Sequence, residues 1–408
     1  MPCRRAPHPA AQQSHARGRR RREIGDLPCD PPPRRGRHRG PNGDGGPAGA
    51  ARPVRPHRGH ARGPHLARLR ARRMAERGGS GEMDDVSRSA PTRSLAPRFS
   101  METVRQAFPL VLLAGLCLAF ASASDRFLTV NNAMIVLQQS AVLLVAAVAM
   151  TFVIVNGSID LSVGSTVALS ALVAAALSAE LGMWAILPAI GVGLLCGLFN
   201  GLLFAYGRIP SFIVTLGTLV IFRGLVLFYT RGAPVSIRDM EFLSTFAGRS
   251  FGVPHTVIIA LTATVIAAVI FNQTVFGREV RAVGGGEKVA LLSGIRVQRV
   301  KLMVFVVSGA LCGLAGLLQA SRTMAATAQL AEGLELDVIA AVVVGGTPLT
   351  GGVGRIRGTV LGVLIIAILS NGMNMTGVDP HLQKILKGVV LIAAVFLTID
   401  RSKISVIK

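Results

Sequence analysis

Six polar side chains interrupt long apolar stretches of this sequence and are its first candidates for chemistry. They are one carboxylate, one guanidinium and four amides: Asp160, Arg223, Asn156, Asn200, Asn371 and Asn374. In a membrane, an ionised side chain at the bilayer centre costs about 2.5–3.5 kcal/mol even on the mildest scale. Such groups must therefore face a bundle interior, water or one another, which predicts a solute path or hydrogen bonds between helices.

Asp160 lies in NGSIDLSVGS, where Gly, Ser and Asn residues predict a tight non-helical turn between two apolar stretches. Two roles are open for it. The carboxylate caps a helix and holds the turn, which we rank first, or it lies with Ser162 on a solute path. Asn200 is expected to form a hydrogen bond between helices, and Arg223 to snorkel or to pair with a carboxylate.

Enzyme motifs are missing from the sequence. It has no GxSxG, HExxH or dinucleotide fingerprint, and GGGEK at 284–288 lacks the GxxxxGK[ST] spacing of a phosphate-binding loop. None of the five cysteines forms a CxxC pair, and three lie in apolar stretches. We therefore expect no enzymatic activity, no metal site, no cofactor and no nucleic-acid partner.

The composition is that of a membrane protein. Charged residues make up 16% of the 408 residues, against about 25% in soluble domains, and the mean hydropathy is +0.52. The eighth of ten apolar stretches is too short to cross a bilayer alone and must be a half-membrane segment. The pattern predicts an all-α polytopic membrane protein with about ten transmembrane helices, some broken or short, at 107–124, 140–156, 163–180, 184–206, 211–229, 254–273, 300–320, 338–347, 358–375 and 384–399.

The charge distribution predicts orientation and domain limits. Lys and Arg are more frequent in alternate loops, which places both termini in the cytoplasm. Residues 1–100 carry most of the net charge of +23 and are rich in Arg, Pro and Gly, so we expect a disordered extension. Met74, Met83 and Met101 are alternative starts. The predicted membrane domain is then 101–402, followed by a cytoplasmic tail at 403–408.

Glycine recurs every fourth residue in two apolar stretches, a spacing that lets helices approach closely. It predicts a tightly packed bundle and would also suit contacts with a second copy, through Gly193, Gly197, Gly201, Gly309 and Gly313. Two Gly-rich breaks, after VIV at 153–155 and after VVV at 342–344, resemble each other. They are either a transporter-like internal repeat or a chance similarity.

The longest polar break inside the apolar region is 272–301. GEKVALLSG predicts one short helix, because Glu287 favours its N-terminal end and Gly294 suits the position just past its C-terminal end. This helix is either a docking element for a partner or part of an ordinary solvated connection.

Four stretches resemble one family: NGSIDLSVGS at 156–165, NGLLFAYGRIPSFIVTLGTLVIFRGL at 200–225, the segment from FGREV to QASR at 276–322, and the segment from ELDV to GMNM at 335–375. In this order, from about 100 to 402, the chain resembles the permease subunits of bacterial sugar ABC importers of the ribose, xylose and arabinose type. The family's first motif usually has the sequence GGIDLS, whereas Asn156 and Ser158 flank a single glycine here. Arg355 and Arg357 also add charge to the last motif.

The resemblance implies an ABC importer permease fold in the lipid of a bacterial plasma (inner) membrane. The permease would pair with a second copy or a related permease, a separate ABC ATPase would hydrolyse ATP, and a periplasmic or lipoprotein solute-binding protein would deliver a sugar. By this resemblance 276–299 is the loop that couples to the ATPase, with Phe276, Gly277, Arg278, Gly284, Glu287, Leu291, Gly294 and Ile295. A permease for a nucleoside, polyol or branched-chain amino acid, an ion-coupled transporter and a scaffold subunit are the alternatives.

Overall fold

The computed structural model describes residues 101–398. The predicted extension at 1–100 and the predicted tail at 403–408 lie outside the described residues. The first half of the described chain is a series of long helices: α1 (Met101–Ala123), α2 (Val130–Val155), α3 (Val163–Leu181), α4 (Ile186–Ala205) and α5 (Ser211–Thr230). One 3₁₀ turn, Gly182–Ala185, joins α3 to α4.

The second half alternates long helices with short ones. After the short strand β1 (Val235–Ser236) come α6 (Met240–Phe246), β2 (Arg249–Ser250), β3 (Val253–Pro254), α7 (His255–Gln273), α8 (Val275–Gly285) and α9 (Glu287–Leu292). Then follow α10 (Val297–Thr323), β4 (Ala325–Ala326), α11 (Leu334–Val344), α12 (Ile356–Met375) and α13 (Pro380–Thr398). The strands form two antiparallel pairs, β1 with β4 and β2 with β3.

The prediction of an all-α polytopic membrane protein is confirmed. Within 101–398, six helical stretches are long and apolar enough to cross a membrane: α2, the run Val163–Ala205 that holds α3 and α4, α5, α7, α10 and α12. A shorter apolar stretch, Phe108–Ala123, lies in α1. Each of the ten predicted segments overlaps a helix, but the number of membrane crossings stays a prediction.

The α2 helix starts ten residues before its predicted start at 140. Thr129 caps the helix by accepting a hydrogen bond from the Asn132 backbone N–H at 3.3 Å. The Asn132 side chain in turn donates to the carbonyl oxygen of Phe127 at 2.9 Å. Polar residues in the first turns weaken the apolar pattern, but their side chains complete the helix end, so the helix continues through them.

The predicted half-membrane segment is α11, which has 11 residues. At 1.5 Å per residue it is about 16 Å long, roughly half of a 30 Å hydrocarbon core. A helix this short cannot cross by itself, and α11 is packed against α2, α12 and α13. Close approach to α12 requires glycine, because a Cβ atom added at Gly345 would lie 2.6 Å from the carbonyl carbon of Gly358.

The α2 and α10 helices form the centre of the bundle. From Ala141 to Val155 every residue of α2 is buried. The α10 helix packs against α4, α3 and α2, whereas α1 packs on α12 and α13 on α11 at the periphery. Polar groups in the buried part of α2 and in the central turns of α10 are therefore held inside the bundle.

Candidate functional site

The turn between α2 and α3 re-enters the bundle and carries a buried polar chain. Asp160 is only 5% exposed, and its Oδ1 accepts hydrogen bonds from the Ser162 backbone N–H at 2.9 Å and the Ser162 hydroxyl at 2.6 Å. The Ser162 Oγ accepts a third bond from Asn200 Nδ2 at 2.8 Å. The chain Asp160–Ser162–Asn200 therefore ties this turn to α4.

The expectation that Asp160 caps a helix is wrong in its detail. The residue at the N-cap of α3 is Ser162, whose side chain makes no capping bond to the helix. Asp160 instead bonds the backbone two residues ahead of itself, the pattern of an Asx turn. It holds the turn, as expected, but from inside the bundle. Asn200 makes a bond between segments as predicted, and its Oδ1 has no partner among the described residues.

Five glycines from three distant segments meet at one end of the bundle, and we call them the glycine junction: Gly157, Gly284, Gly285, Gly351 and Gly352. A Cβ atom added at Gly351 would lie 2.8 Å from Gly157 Cα, and one added at Gly352 would lie 2.8 Å from Gly285 Cα. The Gly352 N–H also donates to the Val155 carbonyl at 2.8 Å. The two Gly-rich breaks therefore contact each other and the end of α8 through bare backbone.

The polar break at 272–301 contains two helices where the sequence predicted one. The α9 helix is the predicted one and begins at Glu287, which pairs with Lys301 at 2.8 Å. It ends in a Schellman motif, in which the Ile295 N–H donates to Ala290 and the Gly294 N–H to Leu291, at 3.1 and 3.0 Å. Gly294 has φ +81°, as that motif requires.

The α8 helix, which the sequence interpretation missed, is attached to the bundle by aromatic contacts. Phe276 stacks on Phe152 of α2 with ring centroids 6.2 Å apart. Gly277 is needed because an added Cβ would lie 2.5 Å from the Phe271 carbonyl carbon. The Arg281 guanidinium lies over the Phe271 ring, 4.6 Å from its centroid. Thr274, the N-cap that accepts from the Gly277 N–H, was the signal that could have found this helix.

The α9 helix exposes three apolar side chains beside the charged Glu287 and Lys288. Leu292 is 87% exposed, Val289 69% and Leu291 64%. Beside them lies a cleft of about 330 Å³, with Phe276 and Gly294 in its wall and charged side chains that include Glu279, Arg296 and Arg299. Of the other predicted coupling residues, Arg278 is exposed and Ile295 is half-buried against the core. An apolar tip next to charged groups is typical of a surface that a partner covers.

The glycines spaced by four residues face one another across α4 and α10. A Cβ added at Gly193 would lie 2.6 Å from Gly313 Cα, and one at Gly309 would lie 2.8 Å from Gly197 Cα. Gly201 faces Leu302 in the same interface. The structure therefore places all five predicted packing glycines within this chain's own α4–α10 contact.

None of the remaining predicted path residues forms a hydrogen bond to Asp160, Ser162 or Asn200 within the described chain. Arg223 forms no ion pair among the described residues, and its Nη1 donates to the carbonyls of Ala328 and Leu330, both at 2.7 Å, while snorkelling stays a prediction. Asn374 accepts from Gln383 at 2.9 Å, and Asn371 is buried with an unpartnered Oδ1 among the described residues. Asn156 donates to Ser158 at 3.3 Å near the junction. The predicted residues thus form no single site.

Comparison with known proteins identifies the family. The model of a family described as "Branched-chain amino acid transport system / permease component" matches residues 132–395, which is more than half of the chain. The chain belongs to this permease family. The ribose import permease of Bacillus subtilis (strain 168) is 43% identical to this chain over 299 residues, which cover 72% of this chain and 92% of that relative.

Other relatives agree with this assignment. The ribose import permease of Escherichia coli (strain K12) is 40% identical over 72% of the permease and 93% of its own length. The L-arabinose ABC transporter permease of Azospirillum brasilense is 38% identical over 70% of this chain and 84% of its own length. No solved structure matches the permease. The resemblance to sugar ABC permeases is confirmed, and the permease is a multi-pass transport subunit of the plasma membrane and not an enzyme.

Proposed function

We propose that this chain is the membrane-spanning permease subunit of an ATP-driven importer for a monosaccharide such as ribose. The named relatives supply the solute class, since import permeases for ribose and L-arabinose align along almost their whole length. The exposed apolar tip of α9 is the structural observation that best supports the mechanism. The neighbouring helix, α8, ends in the glycine junction. Such a tip is a surface on which a separate ABC ATPase can dock.

Transport follows from the contacts between these segments. Closure of the ATPase pair displaces α9, and α8 moves with it because α8 and α9 are separated by one residue, Gly286. The glycine junction transfers this displacement to the breaks after α2 and α11. The backbones of these breaks and of the end of α8 are in direct contact there, so one segment cannot shift without moving the others. The bundle then alternates between openings to its two sides, as the ATPase stabilises one arrangement over the other.

The orientation follows from charge. Arg278, Arg281, Lys288, Arg296 and Arg299 lie in or beside α8 and α9, and clustered basic residues favour the cytoplasmic face. This end and both termini are therefore cytoplasmic, and the solute-binding protein delivers sugar at the opposite end. We infer ten crossings or half-crossings, a second permease copy beside this one, and a coupling loop at 276–299 that contains α9.

The function is tested by uptake into cells that lack their own ribose permease. The chain is expressed with its ATPase and binding protein, and labelled D-ribose, D-xylose, L-arabinose and leucine are offered separately. We expect uptake of at least one sugar that is lost when the phosphate-binding lysine of the ATPase is replaced. Uptake of leucine alone would favour the amino-acid alternative suggested by the family description. Uptake that survives loss of the ATPase would favour an ion-coupled transporter.

Gly294→Pro is expected to prevent association with the ATPase while the permease still reaches the membrane. Proline fixes φ near −65° and has no N–H, so it cannot adopt φ +81° or donate to Leu291, and the end of α9 unwinds. Co-purification of the ATPase measures the effect. The control is Gly252→Pro, which meets a similar φ of +82° in the turn between β2 and β3. Equal ATPase recovery from both variants would contradict docking at α9.

Asp160→Asn is expected to preserve the fold and lower uptake ~5-fold, since bonds to a charged acceptor exceed neutral ones by about 1 kcal/mol. The amide oxygen can still accept both bonds from Ser162, so the turn keeps its shape and the melting temperature should fall by no more than about 2–4 °C. Labelled-sugar uptake measures the loss. Asp239→Asn is the control, because Asp239 caps α6 outside the polar chain by accepting from the Phe242 N–H at 2.8 Å. Wild-type uptake by Asp160→Asn would remove Asp160 from the path.

A further inference from the structure

A second polar region lies at the end of the bundle opposite the glycine junction. It is a cavity of about 350 Å³ between α2, α10, α12 and the segment that leads into α11, and we call it the outer polar cavity. Ser370 of its wall lies about 20 Å along α12 from Ile356, the residue that begins α12 near the junction. In the proposed orientation this cavity opens toward the side from which solute arrives. Its polar wall includes Gln139, Gln319, Arg322, Glu332, Asp337 and Ser370.

Most polar groups of this wall are not used by the protein. Arg322 Nε is buried and has no hydrogen-bond partner within 101–398. The side chains of Gln319, of the half-buried Gln139 and Ser370, and of the exposed Glu332 also form no hydrogen bond to the described residues. Gln319 itself is 9% exposed. Buried polar groups nearly always have partners, because an unpaired one costs about 1–3 kcal/mol. These donors and acceptors are therefore available to a molecule inside the cavity.

Two other polar groups hold the wall in place. Asp337 of α11 pairs with Lys387 of α13 at 2.8 Å, and Asn374 of α12 accepts from Gln383 at 2.9 Å. Lys387, which lies outside the cavity wall, neutralises Asp337 in this ion pair, so the wall keeps one positive group, Arg322, and one negative group, Glu332. Such a wall has no net charge with which to attract an ion.

We propose that the outer polar cavity binds a neutral monosaccharide as it enters the permease. Amide, hydroxyl, guanidinium and carboxylate groups suit sugar hydroxyls, each of which both donates and accepts. Val142, Leu143 and Ile366 form an apolar part of the wall that can contact the C–H face of a sugar ring. The volume lies within the range of small-molecule sites, about 300–1,000 Å³. The proposal rests on the proposed function, because that function supplies the solute class and the direction of entry.

The test follows the reactivity of a cysteine placed in the cavity. The full chain with Ser370→Cys, in lipid nanodiscs, is labelled with a sulfonated maleimide, and peptide mass spectrometry separates this site from the native cysteines. We expect D-ribose, D-xylose or L-arabinose at saturating concentration to slow labelling at least ~5-fold, because only the unoccupied fraction reacts. The matched control is Ser122→Cys on α1, which is exposed near the same end of the bundle. Its labelling should not change.

A second variant connects the protection to the cavity wall. Adding Gln319→Leu to Ser370→Cys should raise the sugar concentration needed for half-protection ~3- to 10-fold, the equivalent of one neutral hydrogen bond. An unchanged concentration would overturn the proposal. So would equal slowing at Ser122→Cys, or protection by leucine but by none of the sugars.

Uptake by the unchanged chain separates this proposal from the proposed function. Sugar uptake without protection at Ser370→Cys overturns the cavity and leaves the permease function standing. Protection without sugar uptake in the complete importer supports the cavity and contradicts the proposed function. If neither sugar protection at Ser370→Cys nor sugar uptake is observed, both the cavity proposal and the proposed function are overturned.

Discussion

Gly193→Leu should prevent stable folding of the permease, whereas Gly191→Leu in the same helix should be tolerated. An added Cβ at Gly193 would lie 2.6 Å from both Cα and N of Gly313, and the Gly309 carbonyl is also in the way. At Gly191 nothing lies within 4 Å of the added atom. The obstructing atoms at Gly193 are backbone, so they cannot rotate away, and α4 must separate from α10.

The expected size follows from the cost of overpacking. Extra atoms in a well-packed interior typically cost about 1–3 kcal/mol, and occasionally more when backbone must move. Leucine adds four heavy atoms to the central interface of the bundle, so we expect an effect at or above the top of that range. Membrane-fraction abundance and thermal unfolding of the detergent-solubilised protein measure it. Equal melting temperatures for Gly193→Leu and Gly191→Leu would mean that α4 and α10 do not approach this closely.

Gly284→Ala should reduce transport although the protein accumulates normally. One methyl group at this position would lie 2.7 Å from the Gly352 backbone nitrogen and would collide with the Val155 carbonyl oxygen. These two atoms are hydrogen-bonded to each other at 2.8 Å, so neither can move without breaking that bond. The end of α8 must therefore shift away from both breaks. A cost of about 1–3 kcal/mol corresponds to a ~5- to 150-fold loss of uptake.

The neighbouring glycine provides the matched control for this prediction. Gly285→Ala adds the same methyl group to the same helix end, and nothing lies within 4 Å of it. Labelled-sugar uptake, ATPase co-purification and solute-stimulated ATP hydrolysis should be compared in the two variants. We expect Gly284→Ala to retain the ATPase but lose solute-stimulated hydrolysis, and Gly285→Ala to retain both. Equal transport by the two variants would rule out the glycine junction as the route of coupling.

Local patterns were sufficient for much of the fold. Apolar stretches near spanning length predicted the helices, because in a bilayer a backbone that satisfies its own hydrogen bonds is almost always helical. Gly294 predicted the end of α9, since its left-handed conformation is a local property of one residue. Glycines spaced by four residues predicted a close helix contact. The start of α2 and the existence of α8 were missed because each helix start is marked by a single hydrogen bond, which the Thr129 or Thr274 hydroxyl accepts from a backbone N–H.

The sequence by itself determined that this chain is a helical membrane protein with polar breaks, one of them a long charged loop, and its motifs determined the family. Only the tertiary structure decided which distant segments meet. Nothing in the sequence indicates that Gly157, Gly284 and Gly351 are in contact. Equally, nothing in it indicates that Gln139, Gln319 and Ser370 line one cavity. Periodicity along the chain reports which face of a helix is buried, whereas contact between helices depends on how those faces pack. The glycine junction and the outer polar cavity are therefore properties of the packing.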